Sequence, residues 1–166
     1  WHGVMNLTLV AVSTESSNSD TEEASAPFSV TVDAQADVPN LTAGSSSTNE
    51  DTAINVGTQI TYAAADADGS EHVSEVVISG IPSGSTVSAV TFGSATGTYD
   101  AGAGTLTITG ANPDPAIAAA DIRAVLNNFI LTPPLHVGSD TSLGVAVTVT
   151  DADGSTAVQT GIHTVN

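Results

Sequence analysis

Apolar and polar residues alternate with a period of two along much of the chain. The alternation is clearest at residues 5–11, 28–32, 105–109 and 145–150, where apolar side chains mostly alternate with Thr, Ser, Asn or Ala. Runs of this kind, rich in Val, Ile and Thr and separated by Gly, Ser and Asp, are typical of half-buried strands. The pattern therefore predicts an all-β sandwich.

One segment departs from this pattern and predicts a short helix. From Asp114 to Asn128 the apolar residues fall at helical spacing, Asp114 suits the N-cap, and Pro115 suits the first turn. The apolar residues at this spacing are Ile122, Val125, Leu126 and Phe129. Two prolines at 133–134 prevent regular structure beyond the helix. We expect the helix to pack on the sandwich.

The chain contains a partial internal repeat. Leu7–Glu15 aligns with Val145–Asp153, and Thr31–Asp33 aligns with Thr164–Asn166. The period of this repeat is about one small domain. The two ends of the chain are therefore predicted to carry the same pair of strands.

This repeat predicts a division of the chain into two parts. Residues 1–37 are expected to be the last two strands of a preceding module plus a linker, and residues 38–166 a complete β-sandwich module. The stretch Asp37–Asn40 would be the joint between them. An isolated strand pair is only marginally stable in water, so we expect it to pack on an adjoining module of the same or a neighbouring chain.

The charge balance limits the partners of the protein. Eighteen Asp and Glu residues stand against Arg123 alone, which gives a formal net charge of −17. Such a chain is not expected to bind nucleic acid or an anionic membrane surface, and it repels itself unless cations bind. No cysteine is present, which excludes a disulfide scaffold and a thiolate metal site.

Targeting features are also missing from the sequence. It has no apolar run long enough to span a bilayer, no signal peptide and no initiating Met. We therefore expect a piece of a longer protein that does not insert into a membrane.

The pentapeptide Asp-Ala-Asp-Gly-Ser occurs twice, at Asp66–Ser70 and Asp151–Ser155. Each copy follows a strand-like stretch, 59–65 and 144–150. Two carboxylates one residue apart, with a glycine that lets the backbone turn, form an oxygen cluster of the kind that calcium prefers. The alternative is that these are solvated turn residues, as Asp, Gly and Ser often are.

We expect calcium ligands at the strand ends and in the joint. The EF-hand is a poor alternative, because the glycine comes two positions too early and no flanking helices are predicted. The candidate ligands are Glu50, Asp66, Asp68 and Glu71 at one set of strand ends, Asp151 and Asp153 at another, and Asp37 in the joint.

Other residue types do not indicate catalysis, and we expect no enzyme. The four His are scattered without zinc-ligand spacing, and no Ser lies in a nucleophile-elbow pattern. Paired carboxylates could indicate a glycosidase, but aromatic residues make up only 4% of the chain, too few for the aromatic platforms usual in sugar-binding clefts. Arg123 is expected on the polar side of the helix, paired with a carboxylate.

Several motifs together resemble the repeated extender modules of giant bacterial RTX adhesins. These motifs are Asn49–Thr52, Asp66–Glu71, Ile78–Pro82, Leu131–Pro134 and Thr148–Ser155. The resemblance implies an immunoglobulin-like or cadherin-like β-sandwich that binds calcium at and near module junctions, in a stalk on the bacterial cell surface. The chain departs from the family in two ways: it lacks the Gly-rich nonapeptide repeats, and Ser13–Glu15 retains one carboxylate where the second pentapeptide has two.

Two classes of function follow. The first is a calcium-stiffened structural spacer of an extracellular adhesin or fibre, without a substrate of its own. The alternative is a ligand-binding β-sandwich that recognises a sugar, a peptide or another copy of itself at the tip of such a protein. A binding module should carry a pocket with exposed aromatic residues, whereas a spacer should not.

Overall fold

The computed structural model describes residues 2–66, 69–88, 91–135 and 139–166. Its strands are β1 (Gly3–Thr14), β2 (Thr21–Val32), β3 (Asn40–Thr42), β4 (Ser45–Ser46), β5 (Ile54–Asn55), β6 (Thr61–Ala63), β7 (Glu71–Ser79), β8 (Thr86–Val87), β9 (Thr91–Phe92), β10 (Ala95–Asp100), β11 (Thr105–Gly110), β12 (Ile130–Thr132), β13 (Thr141–Asp151) and β14 (Thr156–Val165). A 3₁₀ turn covers Gly57–Gln59, and helix α1 covers Pro115–Asn127. The prediction of a mostly β protein with one helix is confirmed for these residues.

Contacts divide the chain into two compact units, one ending at Ala34 and the other running from Gln35 to Asn166. The first unit is the antiparallel hairpin β1–β2, paired without interruption from Gly3↔Val32 to Thr14↔Thr21. Pairs such as Met5↔Val30 and Leu7↔Phe28 place apolar side chains on one face, where they remain exposed. The assignment of this hairpin to a preceding module stays a prediction.

The second unit is built on a seven-stranded sheet in the order β4-β14-β13-β7-β11-β10-β9. Its pairs are antiparallel except for the short parallel pair of β14 with β4. Two smaller sheets, β5-β12-β8 and β3-β6, complete the β-structure, and α1 contacts β7, β10 and β11. This arrangement of several sheets is consistent with the predicted sandwich.

The core lies on one face of the large sheet, where alternate residues of each strand are buried. On β13 these are Leu143, Val145, Val147 and Val149, each at most 1% exposed. Residues of β7, β11 and α1 join them in one continuous cluster, among them Val76, Ile78, Leu106, Ile108, Ile122 and Leu126. The period-two pattern read from the sequence at 105–109 and 145–150 is the pattern that is buried, whereas the same pattern in β1 and β2 is exposed.

Helix α1 begins where the sequence predicted. The side chain of Asp114 accepts hydrogen bonds from the backbone N–H groups of Ala116 (3.0 Å) and Ile117 (3.4 Å), and Pro115 occupies the first turn. This cap satisfies two of the N–H groups that have no partner within the helix.

Among the described residues, Arg123 bonds backbone carbonyl groups and not the carboxylate that was expected. Its guanidinium donates to the carbonyl oxygens of Ile60 (2.8 Å) and Tyr62 (3.1 Å) and lies over the Tyr62 ring, 3.5 Å from the ring centroid. A planar guanidinium can stack on a ring and donate to carbonyls at once, which a point charge such as an ammonium does less well. Burial raises the pKa of Tyr62, and the positive charge of Arg123 acts in the opposite direction.

Two buried polar side chains attach loops to this core. On α1, Asp121 accepts hydrogen bonds from the backbone N–H (2.7 Å) and the hydroxyl (2.8 Å) of Ser94, and these bonds lower the pKa of Asp121. On β14, the ring of His163 is fully buried between the Ala43 carbonyl oxygen and the Ser46 hydroxyl. Asp121 thereby holds the β9–β10 turn, and His163 holds the segment around β4.

A core truncation tests this description. Leu106→Ala removes a side chain that is 2% exposed, and we expect it to lower the free energy of unfolding by about 2–5 kcal/mol. Thr109→Ala on the same strand, at an exposed position, is the control and should cost less than about 1 kcal/mol. Urea denaturation of the three proteins gives the values. Similar costs for both variants would contradict the assignment of the core face.

Candidate metal centre

A β-bulge turns Glu71 toward the inside of the sandwich. Along β7, Val76 and Ile78 are buried on the core face, so unbroken alternation would bury His72 rather than Glu71. The register against β13 shifts by one residue between the pairs Thr148↔Glu75 and Val149↔Val73. The extra residue, Ser74, reverses the alternation, and Glu71 is therefore 7% exposed.

Three carboxylates meet beside this bulge. One oxygen each of Asp37, Asp66 and Glu71 lies within 4.8 Å of the other two. Asp37 and Asp66 are exposed, whereas Glu71 is buried. Asp37 precedes the first strand of the second unit, Asp66 follows β6, and Glu71 begins β7, so three separate segments of that unit supply the cluster.

The two oxygens of Glu71 have different surroundings. Oε1 accepts a hydrogen bond from the backbone N–H of Asp37. Oε2 is shielded from solvent and has no hydrogen-bond partner among the described residues. An ionised oxygen buried without a partner is costly, and a cation bound there would remove that cost.

Asp151 lies directly across the sheet from Glu71, as its partner in the pairing of β13 with β7. Its carboxylate binds the turn that follows. Oδ1 accepts hydrogen bonds from the backbone N–H groups of Asp153 (3.1 Å) and Ser155 (3.0 Å), and Oδ2 accepts one from the Ser155 hydroxyl (2.6 Å). The hydroxyl of Ser155, together with these amides, lowers the pKa of Asp151. The second pentapeptide is thus a turn closed by its own aspartate, beside the cluster.

The turn also reaches the segment that carries Asp37. The Ser155 hydroxyl oxygen accepts the backbone N–H of Ala36 at 2.9 Å. Ala36 and Asp37 are therefore both attached through their amides, the first to the β13–β14 turn and the second to Glu71.

Some of the predicted ligands lie together in the structure, and Glu50 lies apart from them. It brings together Asp37, Asp66 and Glu71, with Asp151 and Asp153 in the neighbouring turn, although the sequence had suggested two separate sets of strand ends. Glu50 lies elsewhere, in a small cavity with Thr141 and Asn166. Thr141 begins β13 and Asp151 ends it, so Glu50 is at the other end of the sheet. Asp68 lies outside the described residues.

Sequence reasoning did not anticipate the bulge or the part played by Ser155. The sequence shows only that the apolar residues change from an odd number at Val73 to even numbers at Val76 and Ile78, which indicates a change of phase but not the residue at which it occurs. No comparable signal marked Ser155, whose hydrogen-bond acceptor role depends on a backbone amide far away in sequence.

The chemistry of this cluster is that of a site for a hard cation. All three side chains offer carboxylate oxygens, and calcium binds such ligands in irregular geometry at about 2.3–2.6 Å. Asp37, Asp66 and Glu71 would hold the ion, and backbone carbonyl groups or water would complete its shell. The unpartnered Oε2 of Glu71 fits this use.

The chain matches no protein-family model and no curated protein. In the parts of the chain that the structure describes, no helix combines the length and apolar character required to cross a bilayer.

Replacing Glu71 by glutamine tests the cluster directly. Glu71→Gln removes one negative charge from three adjacent carboxylates and keeps an acceptor for the Asp37 N–H. We expect the melting temperature without metal to rise, because repulsion falls, and the further rise on adding calcium to be mostly lost. Thermal unfolding with calcium or with a chelator measures both.

The matched control is Glu75→Gln, on the same strand but facing away from the core. It changes the net charge equally and should retain the calcium response of the wild type. A wild-type response in the Glu71 variant would show that this carboxylate is not a ligand.

Proposed function

We propose that this protein is a calcium-binding structural module. The observation that carries the proposal is the cluster of Asp37, Asp66 and Glu71, in which Glu71 has a buried Oε2 without a hydrogen-bond partner among the described residues. A cation beside this carboxylate would offset the cost of its burial, and the chain's single Lys or Arg residue, Arg123, already bonds two carbonyls and stacks on Tyr62. A metal ion supplies the missing positive charge.

Calcium suits this site better than other common metal ions. Magnesium demands near-octahedral geometry and retains several waters, whereas calcium accepts six to eight oxygens in flexible arrangements. Zinc and copper favour nitrogen and sulfur ligands. No cysteine is present in the chain, and the cluster contains no histidine.

The position of Asp37 in the sequence connects the ion to a structural role. This ligand comes three residues after Ala34, the last residue of the first unit. We propose that the ion fixes the connector between successive modules, which stiffens an extended protein on a bacterial cell surface. The immunoglobulin-like or cadherin-like type of the sandwich, its extracellular location and its adjoining modules belong to the same proposal.

The alternative of a ligand-binding module has less support. A groove of about 280 Å³ lies on the outer face of the large sheet, beside Val77, Gly144 and Ile162. The described residues that line it include no aromatic side chain, although a sugar-binding site usually presents one. We therefore favour the structural spacer.

A calcium titration tests the proposed ion. Ligand that binds only the folded state adds RT ln(1 + [L]/Kd), which is about 2.7 kcal/mol at 100 times Kd. We expect the melting temperature to rise in millimolar calcium, to rise less in magnesium, and to fall back on chelation. Asp66→Asn should weaken calcium binding, whereas Asp100→Asn, with the same change of charge at the end of β10 and outside the cluster, should not. An unchanged melting temperature on chelation would refute calcium binding.

Small-angle scattering tests the stiffening role separately from binding. We expect the distribution of maximum dimensions of the chain to be narrow in calcium and broader after chelation, because the acidic connector then loses its ion. Asp37→Ala should remain broad in both conditions. Asp33→Ala, which removes an exposed acidic residue outside the cluster, is the control. If calcium binds but the distribution of maximum dimensions does not change, the stiffening role is disproved and calcium binding is not.

A further inference from the structure

We infer that Ser155 is a positioning residue for the calcium site. Its hydroxyl binds the amide of Ala36 and thereby holds the next residue, the ligand Asp37, in place. The inference rests on the proposed calcium binding and deepens it. Ser155 is not expected to contact the ion. It determines the position of the ligand Asp37 in the protein before calcium binds.

The first step is the anchoring of Ser155 itself. Its hydroxyl donates to Asp151 Oδ2 at 2.6 Å, and its backbone N–H donates to Asp151 Oδ1 at 3.0 Å. Its carbonyl oxygen accepts the backbone N–H of Asp151 at 3.1 Å. Since the hydroxyl hydrogen is directed at a carboxylate, the oxygen lone pairs are available to another donor.

The Ser155 hydroxyl oxygen accepts a hydrogen bond from the segment that carries Asp37. The Ala36 N–H donates to the Ser155 hydroxyl oxygen at 2.9 Å, and the Asp37 N–H donates to Glu71 Oε1. Asp151 and Glu71 are paired across the sheet. These contacts form a closed ring in which the ligands Asp37 and Glu71 are linked through Ala36, Ser155 and Asp151.

Loss of the hydrogen bond between Ala36 and Ser155 is expected to weaken calcium binding. Asp37 is exposed and precedes the first strand of its unit, and the amides of residues 36 and 37 are bonded to Ser155 and Glu71. Residues that orient metal ligands commonly change affinity by about 10- to 100-fold when they are mutated. Without the Ser155 hydroxyl, the 36–37 segment loses one of its two amide contacts, and the ion must order it on binding.

Calcium affinity and terbium luminescence test the inference on the whole chain. Ser155→Ala should weaken calcium binding by about 10- to 100-fold. Terbium occupies calcium sites, and its luminescence lifetimes in H₂O and D₂O count the waters bound to it. That count should increase in Ser155→Ala, because Asp37 no longer occupies its coordination position fully. Ser155→Thr, which retains the hydroxyl, should restore affinity and water count.

The chain provides a matched control in Ser94→Ala. Ser94 also donates its hydroxyl to a buried aspartate, Asp121 (2.8 Å), but on the helix and outside the cluster. Its loss should lower stability without changing calcium affinity or the terbium water count. This separates a role in the metal site from general destabilisation.

A second variant covers the case in which Ser155→Ala fails to fold. Ala36→Pro deletes the donor N–H, although it also fixes φ at residue 36, and it leaves the bonds between Ser155 and Asp151 in place. It should weaken calcium binding in the same way. Wild-type affinity and water count in the folded Ser155→Ala or Ala36→Pro protein would overturn the positioning role while the metal site stands. Absence of calcium and terbium binding in the wild type would overturn the proposed function and this inference together.

Discussion

The shortage of positive charge governs how this protein accommodates its acidic residues. With one arginine in the chain, buried carboxylates must take hydrogen bonds from amides and hydroxyls or bind a cation. The buried Asp121 binds Ser94, and the buried Asp151 closes its own turn. The exposed Asp114 likewise accepts N–H groups, as the cap of a helix. In each of these cases nearby N–H groups donate hydrogen bonds that stabilise the charged carboxylate. Glu71 differs, because one of its oxygens is buried without such a donor among the described residues.

A β-bulge in the pairing of β7 with β13 places Glu71 in these surroundings. The bulge at Ser74 changes which face of β7 is buried, so the sheet ends in a carboxylate where regular alternation would place His72. Glu71 then stands opposite Asp151 and close to Asp37 and Asp66. Stability without metal and the proposed function are opposed here, since burial of Glu71 is unfavourable without a cation and would favour the binding of one.

The two identical pentapeptides have different surroundings. Asp66 of the first copy joins the carboxylate cluster, whereas Asp151 of the second accepts three hydrogen bonds within its own turn. The second copy follows the long strand β13 and leads directly into β14, so its aspartate closes a hairpin. The first copy lies between β6 and β7, which belong to different sheets. The same five residues thus supply a candidate ligand in one place and the aspartate that closes a turn in the other.

The sequence by itself determined the β class, the helix with its Asp114 cap, and the acidic, oxygen-only chemistry of the candidate ligands. These features follow from local periodicity and composition, which adjacent residues encode. Tertiary structure alone decided that Asp37, Asp66 and Glu71 meet, that Glu50 lies at the other end of the sheet, and that Arg123 bonds backbone carbonyls. Those outcomes depend on strand register and on contacts between residues distant in sequence. A one-residue shift in pairing reverses the face of every side chain beyond it, and local patterns do not specify where such a shift occurs.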